Sequence, residues 1–301
     1  MTVRPRPRTV LIGAAGQLGH DLRRTFDGPG ELIPLTRADL DILDAARCRA
    51  VLGDLRPAWI VNTAAYNRVD QAEDDREAAF ALNARAAGDL AAIAESLGAA
   101  FVHFSTDYVF DGARRTPYRE DDTPNPLGVY AASKLEGERL ALERCARAWV
   151  FRVCGLFGVA TSAGKGGTNF VQTVLRLAGA GRALRVVTDQ VLAPSYTRDL
   201  APTVWAVLRA GAPGLYHLTN AGETSWYDFA RAVFRLVGIR ADVTPVTAAE
   251  YAARARRPAY SVLAHARLAA LGLDDLRPWP DALAAYLAEC GLTPARAPSG
   301  S

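Results

Sequence analysis

A tyrosine and a lysine stand four residues apart in Tyr130-Ala-Ala-Ser-Lys134, a spacing that puts both on one face of a helix. All but two of the 35 basic residues are arginine, the exceptions being Lys134 and Lys165. A position needing only positive charge would be filled by Arg in such a composition. Lys134 therefore points to a compact ammonium working beside a phenol and a bound cofactor. A nearby cation favours the phenolate and lowers a tyrosine pKa that starts at about 10. A shift of ~3 units, about 4 kcal/mol, would bring Tyr130 into range as a general acid near neutral pH. A second hydroxyl follows the apolar run Val102-His-Phe104, in Ser105-Thr106-Asp107-Tyr108. Thr106 and Tyr130 would grip one carbonyl oxygen from two sides, while Lys134 holds a ribose and tunes the tyrosine. Such a set suits hydride exchange between a nicotinamide and a carbonyl.

These side chains need strands and helices to aim them. The apolar run at 9–12 reads as a buried strand, followed by Gly13-Ala-Ala-Gly16-Gln-Leu-Gly19 and a helix at 16–25. Strand, glycine turn and helix start form the cradle that a dinucleotide pyrophosphate needs. Gly13, Ala15, Gly16, Gln17, Leu18 and Gly19 are its candidate cofactor-binding residues. Strands at 31–35, 59–62, 100–104 and 148–152 alternate with helices at 45–55, 77–97 and 130–144, which predicts a parallel sheet covered on both faces. Ligands in such sheets bind off the carboxyl ends of strands. That places Asn62, Ala64, Ala65 and Tyr66 beside Thr106 and Tyr108. The second strand ends in Leu35-Thr36-Arg37 rather than in the acidic residue that favours NADH. Arg37 can meet a 2′-phosphate or stack on adenine, so NADPH is favoured over NADH. Asp41 and Ile42 are candidates for the adenine end. After residue 158 the rhythm loosens. Helices are expected at 169–180, 198–210 and 225–238, with strands at 185–187 and 214–218.

The 301 residues carry a net charge of +3, too small and too evenly spread for a nucleic-acid surface. Half the residues are hydrophobic, yet no stretch approaches the ~20 apolar residues of a membrane span. The start lacks a signal-peptide pattern. Cys48, Cys145, Cys154 and Cys290 lack metal-ligand spacing and read as reduced thiols of a cytoplasmic protein; no metal site is assigned. His103 reads as a core histidine facing away from Thr106. His20, His217 and His265 have no ligand partners at useful spacing. Lys165 reads as a loop charge or as a phosphate contact on a lid.

The chain resembles the extended short-chain dehydrogenase/reductase superfamily, and within it the dTDP-4-dehydrorhamnose reductase family. The matching segments include the glycine loop, Val61-Asn-Thr-Ala-Ala-Tyr66 with Val69-Asp-Gln-Ala-Glu73, Ser105-Thr-Asp-Tyr-Val-Phe-Asp-Gly112 and Tyr130-Ala-Ala-Ser-Lys-Leu-Glu-Gly-Glu138. Further on they include Thr188-Asp-Gln190, Thr224-Ser-Trp-Tyr-Asp228 and Arg256-Arg-Pro258. The resemblance implies an α/β fold: a Rossmann-type doubly wound parallel sheet with a smaller, interleaved C-terminal substrate-binding lobe. The cofactor domain is expected over 9–154 with a returning portion near 184–218. The substrate lobe is expected over 155–183 and 219–292, between flexible termini at 1–8 and 293–301. It further implies catalysis by Thr106, Tyr130 and Lys134, sugar contacts from Val69 and Tyr108, and Asn169, Gln190 and Arg257 on the nucleotide-sugar side.

Sugar-nucleotide 4,6-dehydratases resemble Thr-Asp-Glu at the strand end, where Tyr108 stands here. Simple reduction of the C4 ketone of a dTDP-4-dehydro-6-deoxyhexose is therefore favoured over elimination. Where the family reads Arg-Thr-Ser-Trp, this chain reads Arg152-Val-Cys-Gly155. Gly155 removes an aromatic wall beside the sugar, which bears on the choice of 4-keto sugar. Two other readings are a nucleotide-sugar epimerase that returns its hydride and a non-catalytic NADP-binding regulatory subunit. A homodimer is compatible with the resemblance.

Overall fold

A computed structural model describes residues 6–28, 30–160 and 168–292. Lys165 and most of the two terminal segments lie outside the described residues.

Six strands form one parallel sheet. They are β1 (Arg8–Ile12), β2 (Glu31–Leu35), β3 (Trp59–Asn62), β4 (Ala100–Thr106), β5 (Ala148–Val153) and, far later in the chain, β10 (Gly214–His217). Their order is β2-β1-β3-β4-β5-β10, with every neighbouring pair parallel. The chain winds outward from β1 to β2, then returns and winds the other way from β3. The switch point, where doubly wound sheets bind ligands, therefore falls between β1 and β3.

Side chains alternate across each strand, and both faces are covered. Leu11, Val61, Val102 and Phe151 pack against α1 (Gln17–Arg24) and α7 (Thr197–Ala210). Val10, Ile60, Phe101 and Val150 pack against α2 (Ala45–Leu55), α4 (Ala86–Ser96) and α5 (Val129–Arg144). Each large side chain buried in this way contributes about 1.5–3 kcal/mol. Helix α3 (Arg76–Phe80) leads into α4 through a π-helical turn, Ala81–Arg85. The sequence pattern predicts one unbroken helix there, because a π-turn leaves no mark on apolar periodicity.

The second part of the chain is assembled from shorter pieces. Strands β6 (Leu156–Phe157) and β9 (Ser195–Tyr196) pair in parallel, and β8 (Val191–Leu192) pairs antiparallel with β11 (Thr224–Ser225). The strand expected at 185–187 forms as β7 (Leu184–Val187). It pairs with β12 (Val243–Val246) rather than with the main sheet. The chain rejoins the main layers at α7 and β10. Helices α6 (Phe170–Gly179), α8 (Trp226–Val237) and α11 (Trp279–Glu289) close a separate core around Phe157, Tyr196, Phe229 and Tyr286. The short helix α9 (Ala248–Tyr251) follows β12, and α10 (Ala266–Ala270) returns to the main sheet, where Leu268 joins the core beside β10. Among the described residues no helix is long and apolar enough to cross a membrane.

Candidate active site

The glycine turn is built for close approach. Gly13 has φ +80, and a Cβ there would lie 2.6 Å from Thr63 Oγ1 and 2.9 Å from the Ala64 nitrogen. A side chain on Gly19 would meet the Gly13 carbonyl oxygen at 2.3 Å, so α1 seats directly on the turn. Gly16 caps α1 without a side-chain acceptor, leaving the first helical amides for a ligand. The Gln17 side-chain nitrogen is buried beside them with no partner among the described residues. An uncapped helix start and an orphaned donor fit the pyrophosphate of a dinucleotide. Ala15 is exposed on the turn, whereas the Leu18 side chain joins the core. Arg37 leaves the end of β2 with its side chain 85% exposed and only a 3.4 Å contact to Asp41, so its guanidinium is available to a 2′-phosphate. The Ile42 side chain packs inward beside Cys48 and Leu52. Asn62 is buried at the end of β3 and accepts from the Ala64 amide at 3.1 Å.

Strand β4 runs two residues further than its apolar pattern suggests and delivers Thr106 at its carboxyl end. The Thr106 hydroxyl accepts from the Tyr108 amide at 3.2 Å and donates to Asp107 Oδ1 at 3.0 Å. Tyr130 and Lys134 share a face of α5, as their spacing requires. Tyr130 lies beside Thr106, and its ring meets that of Tyr108 edge to face at 6.3 Å. The two hydroxyls expected to flank one carbonyl oxygen are thus side by side. Lys134, 2% exposed, donates to the Phe104 carbonyl at 2.5 Å and lies 3.3 Å from His103 Nε2.

The tyrosine differs from the expectation of a lowered pKa. Burial pushes the Tyr130 phenol up to about 12, against the opposing hydrogen bond from Thr106. Burial also pulls Lys134 down to about 8, against the pull of Glu138. Desolvation disfavours the charged form of each group, and the ammonium is turned toward Phe104 and His103.

Several supporting residues escaped the sequence reading. Glu73 accepts from the Val129 amide at 2.9 Å and so caps the start of α5 just before Tyr130. Asn83, on the π-turn, clamps the Tyr66 backbone through both its N–H and its carbonyl (2.8 and 2.9 Å) and donates to Ser133 on α5. Asp107 is buried and accepts from Cys154 Sγ at 3.0 Å, and burial raises its pKa. A π-turn at a site is a recurring functional device, but its sequence signal is weak.

Arg257 forms a bidentate pair with Asp70 (2.7 and 3.0 Å) and lies near Tyr108. The half-buried Val69 precedes Asp70 on the same segment. Gln190 is buried at the turn between β7 and β8. Asn169 stands apart from this group. It caps α6, and its amide nitrogen is committed to the Gly158 carbonyl and the Tyr286 hydroxyl. Gly155 has φ +51, and a Cβ there would meet Leu192 at 2.9 Å and Pro194 at 3.2 Å. Those two residues fill the space next to it. Among the described residues no three His, Cys, Asp or Glu side chains gather as a metal site.

Known proteins match nearly the whole chain. The model of the family described as RmlD substrate binding domain matches residues 7–291. The dTDP-4-dehydrorhamnose reductase of Streptomyces griseus is 40% identical over 300 residues, 97% of each chain. The Bacillus subtilis (strain 168) spore coat polysaccharide biosynthesis protein SpsK is 40% identical over 283 residues, 94% of this chain and 97% of its own. The crystal structure of the Bacillus anthracis dTDP-4-dehydrorhamnose reductase in complex with NADP superposes with a TM-score of 0.89 at 34% identity. It covers 94% of this chain and 99% of that one.

Proposed function

Because the chain belongs to the dTDP-4-dehydrorhamnose reductase family, we propose that it reduces the C4 ketone of a dTDP-4-dehydro-6-deoxyhexose with NADPH. The observations that carry this reading are Tyr130 beside Thr106 off the end of β4, Lys134 one turn along α5 from Tyr130, and a glycine turn open to a dinucleotide. Gly13, Gly16 and the start of α1 would hold the pyrophosphate, and Arg37 the 2′-phosphate. Bound NADPH supplies the hydride that C4 accepts. Tyr130 donates its hydroxyl proton to the carbonyl oxygen, which becomes the product alcohol. Thr106 polarises the same oxygen by a second hydrogen bond. Lys134 steadies the ribose, and in its charged form it makes proton loss from Tyr130 easier. A phenol held near 12 in the free protein is a poor acid, so a charged Lys134 in the loaded site is central to the reaction.

Arg257, oriented by Asp70, would receive a phosphate or a sugar hydroxyl. Val69 and Gln190 complete that side. Gly155 with Leu192 and Pro194 shapes the wall that selects the sugar. The four unpaired cysteines support a reducing, cytoplasmic setting. The test is loss of reduced-nicotinamide absorbance with dTDP-4-dehydro-β-L-rhamnose. Wild type should turn over, and Tyr130→Phe should lose ~10²–10⁴-fold while still binding NADPH. Unchanged turnover in Tyr130→Phe would remove the tyrosine from the mechanism.

A further inference from the structure

We propose that His103 and Asn62 form a hydrogen-bond relay that ties the charge on Lys134 to the backbone amide of Ala64, at the edge of the glycine cradle. The donors and acceptors along these side chains set the direction of each hydrogen bond. Asn62 Oδ1 accepts from the Ala64 amide at 3.1 Å, which fixes the side-chain amide and turns Nδ2 toward His103 Nδ1 at 3.4 Å. An amide nitrogen only donates, so Nδ1 must accept and the neutral ring carries its proton on Nε2. Nε2 lies 3.3 Å from Lys134 Nζ. An ammonium has three donors and no lone pair, so a charged Lys134 would face the Nε2 proton donor to donor. As an amine, Lys134 accepts from Nε2 and still donates to the Phe104 carbonyl. This arrangement therefore fits an uncharged lysine in the cofactor-free protein.

Protonating Lys134 reverses each bond in turn. Nε2 becomes the acceptor, the ring proton moves to Nδ1, and the Asn62 amide rotates to present its oxygen. The Ala64 amide then loses its acceptor. That amide lies within 2.9 Å of where a Gly13 side chain would begin, so its release falls at the cofactor-binding turn. Glu138, one turn on along α5, favours the charged lysine, but its carboxylate is held by Arg152 of β5 through three hydrogen bonds, and Tyr130 is neutral. From β4, Phe101 stacks on the His103 ring at 6.1 Å. His103 is 1% exposed, and burial together with Lys134 holds it well below the ordinary histidine pKa, so an imidazolium is not an available state. His103 acts through Lys134 and is a positioning residue.

The consequence for catalysis rests on the reductase reading; the relay itself does not. The test is two-bond ¹⁵N–¹H correlation on the full-length, cofactor-free protein labelled at its four histidines, with the His103 signals assigned by their loss in His103→Gln. The Nε2–H tautomer is expected above the Lys134 transition, at about 8, and the Nδ1–H tautomer below it. In Lys134→Met the ring should stay Nε2–H at every pH. One unchanged tautomer across the transition in wild type, or a switch that persists in Lys134→Met, would overturn the relay. A second readout is the alkaline limb of kcat/KM. In His103→Gln the amide serves either lysine state, so the limb should move upward by about one pH unit or more; an unmoved limb counts against the proposal. The tautomer is read without turnover, so failure of the relay is distinguishable from failure of the reductase assignment.

Discussion

Helix α5 carries Lys134 and, one turn on, Glu138, and each belongs to a buried cluster containing one cation and one histidine. Around Glu138 every group has a fitting partner. Arg152 donates to both carboxylate oxygens (2.7–3.2 Å) and approaches His217 Nε2 at 3.4 Å. His217 Nδ1 faces two carbonyl oxygens, of Tyr118 and Ala264, at 3.1 and 3.0 Å. That ring must be Nδ1–H, which leaves Nε2 free to accept from the guanidinium. Around Lys134 both ring nitrogens of His103 face donors. The first cluster has one good hydrogen-bonding pattern and a cation that never loses its proton. The second has two competing patterns and a cation that titrates. One helix thus carries a fixed strut and a chargeable site side by side, and the choice of Arg or Lys separates them.

The largest expected effect tests the strut. Glu138→Ala leaves Arg152 charged, buried and unpaired, which should cost ~3–5 kcal/mol of stability in urea unfolding. His103→Gln, at the under-satisfied cluster, should cost no more than about 1 kcal/mol. Equal losses would erase the contrast.

The clusters should also show themselves in separate pH windows. The Lys134 pKa is about 8 in the folded protein, against an ordinary 10.5. Between these values the unfolded chain binds more protons, so stability rises with pH across that window and the full cost is present below it. Lys134→Met should therefore abolish turnover yet stabilise the protein near neutral pH by up to ~3 kcal/mol, and flatten the alkaline slope. Burial, reinforced by Arg152, lowers His217 to about 3. Its contribution is present above the ordinary histidine pKa of 6.5 and is lost as pH falls from there toward 3. Thermal unfolding across both windows separates them: Lys134→Met should change only the alkaline one.

The same division explains what could be read in advance. The placement of Tyr130, Lys134 and Thr106 was legible because it depends on local spacing and on the end of a predicted strand. The helix at 45–55 and the strand at 59–62 form as the pattern requires. The partners that settle charge were not legible, because His103, Asn62, Glu138 and Arg152 meet only when β3, β4, β5 and α5 are stacked. His103 did face away from Thr106, as strand alternation demands, but the face it joined holds Lys134. In the C-terminal lobe, β6, β8, β9 and β11 are two residues long, too short to show a period. β12 carries Pro245, which argues against a strand.

Outside the core, the Arg257–Asp70 pair repeats the strut design at the site's edge. Arg257→Lys keeps the charge but loses the fork that Asp70 orients. Substrate KM should rise about tenfold, roughly 1.4 kcal/mol, with kcat little changed. A fall in kcat alone would move Arg257 from binding to chemistry.

The smallest effect concerns how α5 begins. Glu73 reaches from the Val69-Asp-Gln-Ala-Glu73 segment to accept from the Val129 amide, one residue before Tyr130. Gly128 leaves room for it, since a Cβ there would lie 2.7 Å from the Glu73 carboxylate. A carboxylate at a helix start satisfies an orphan amide and meets the positive end of the helix dipole. Glu73→Ala should cost ~1 kcal/mol of stability and lower kcat several-fold by loosening the turn that aims Tyr130. Glu73→Gln keeps the acceptor and loses the charge. If it restores kcat while stability stays reduced, the hydrogen bond positions the tyrosine and the charge serves only the helix. If neither variant changes kcat, the turn is held by Asn83 and Ser133 instead, and α5 is fixed from the π-turn rather than from its own first residue.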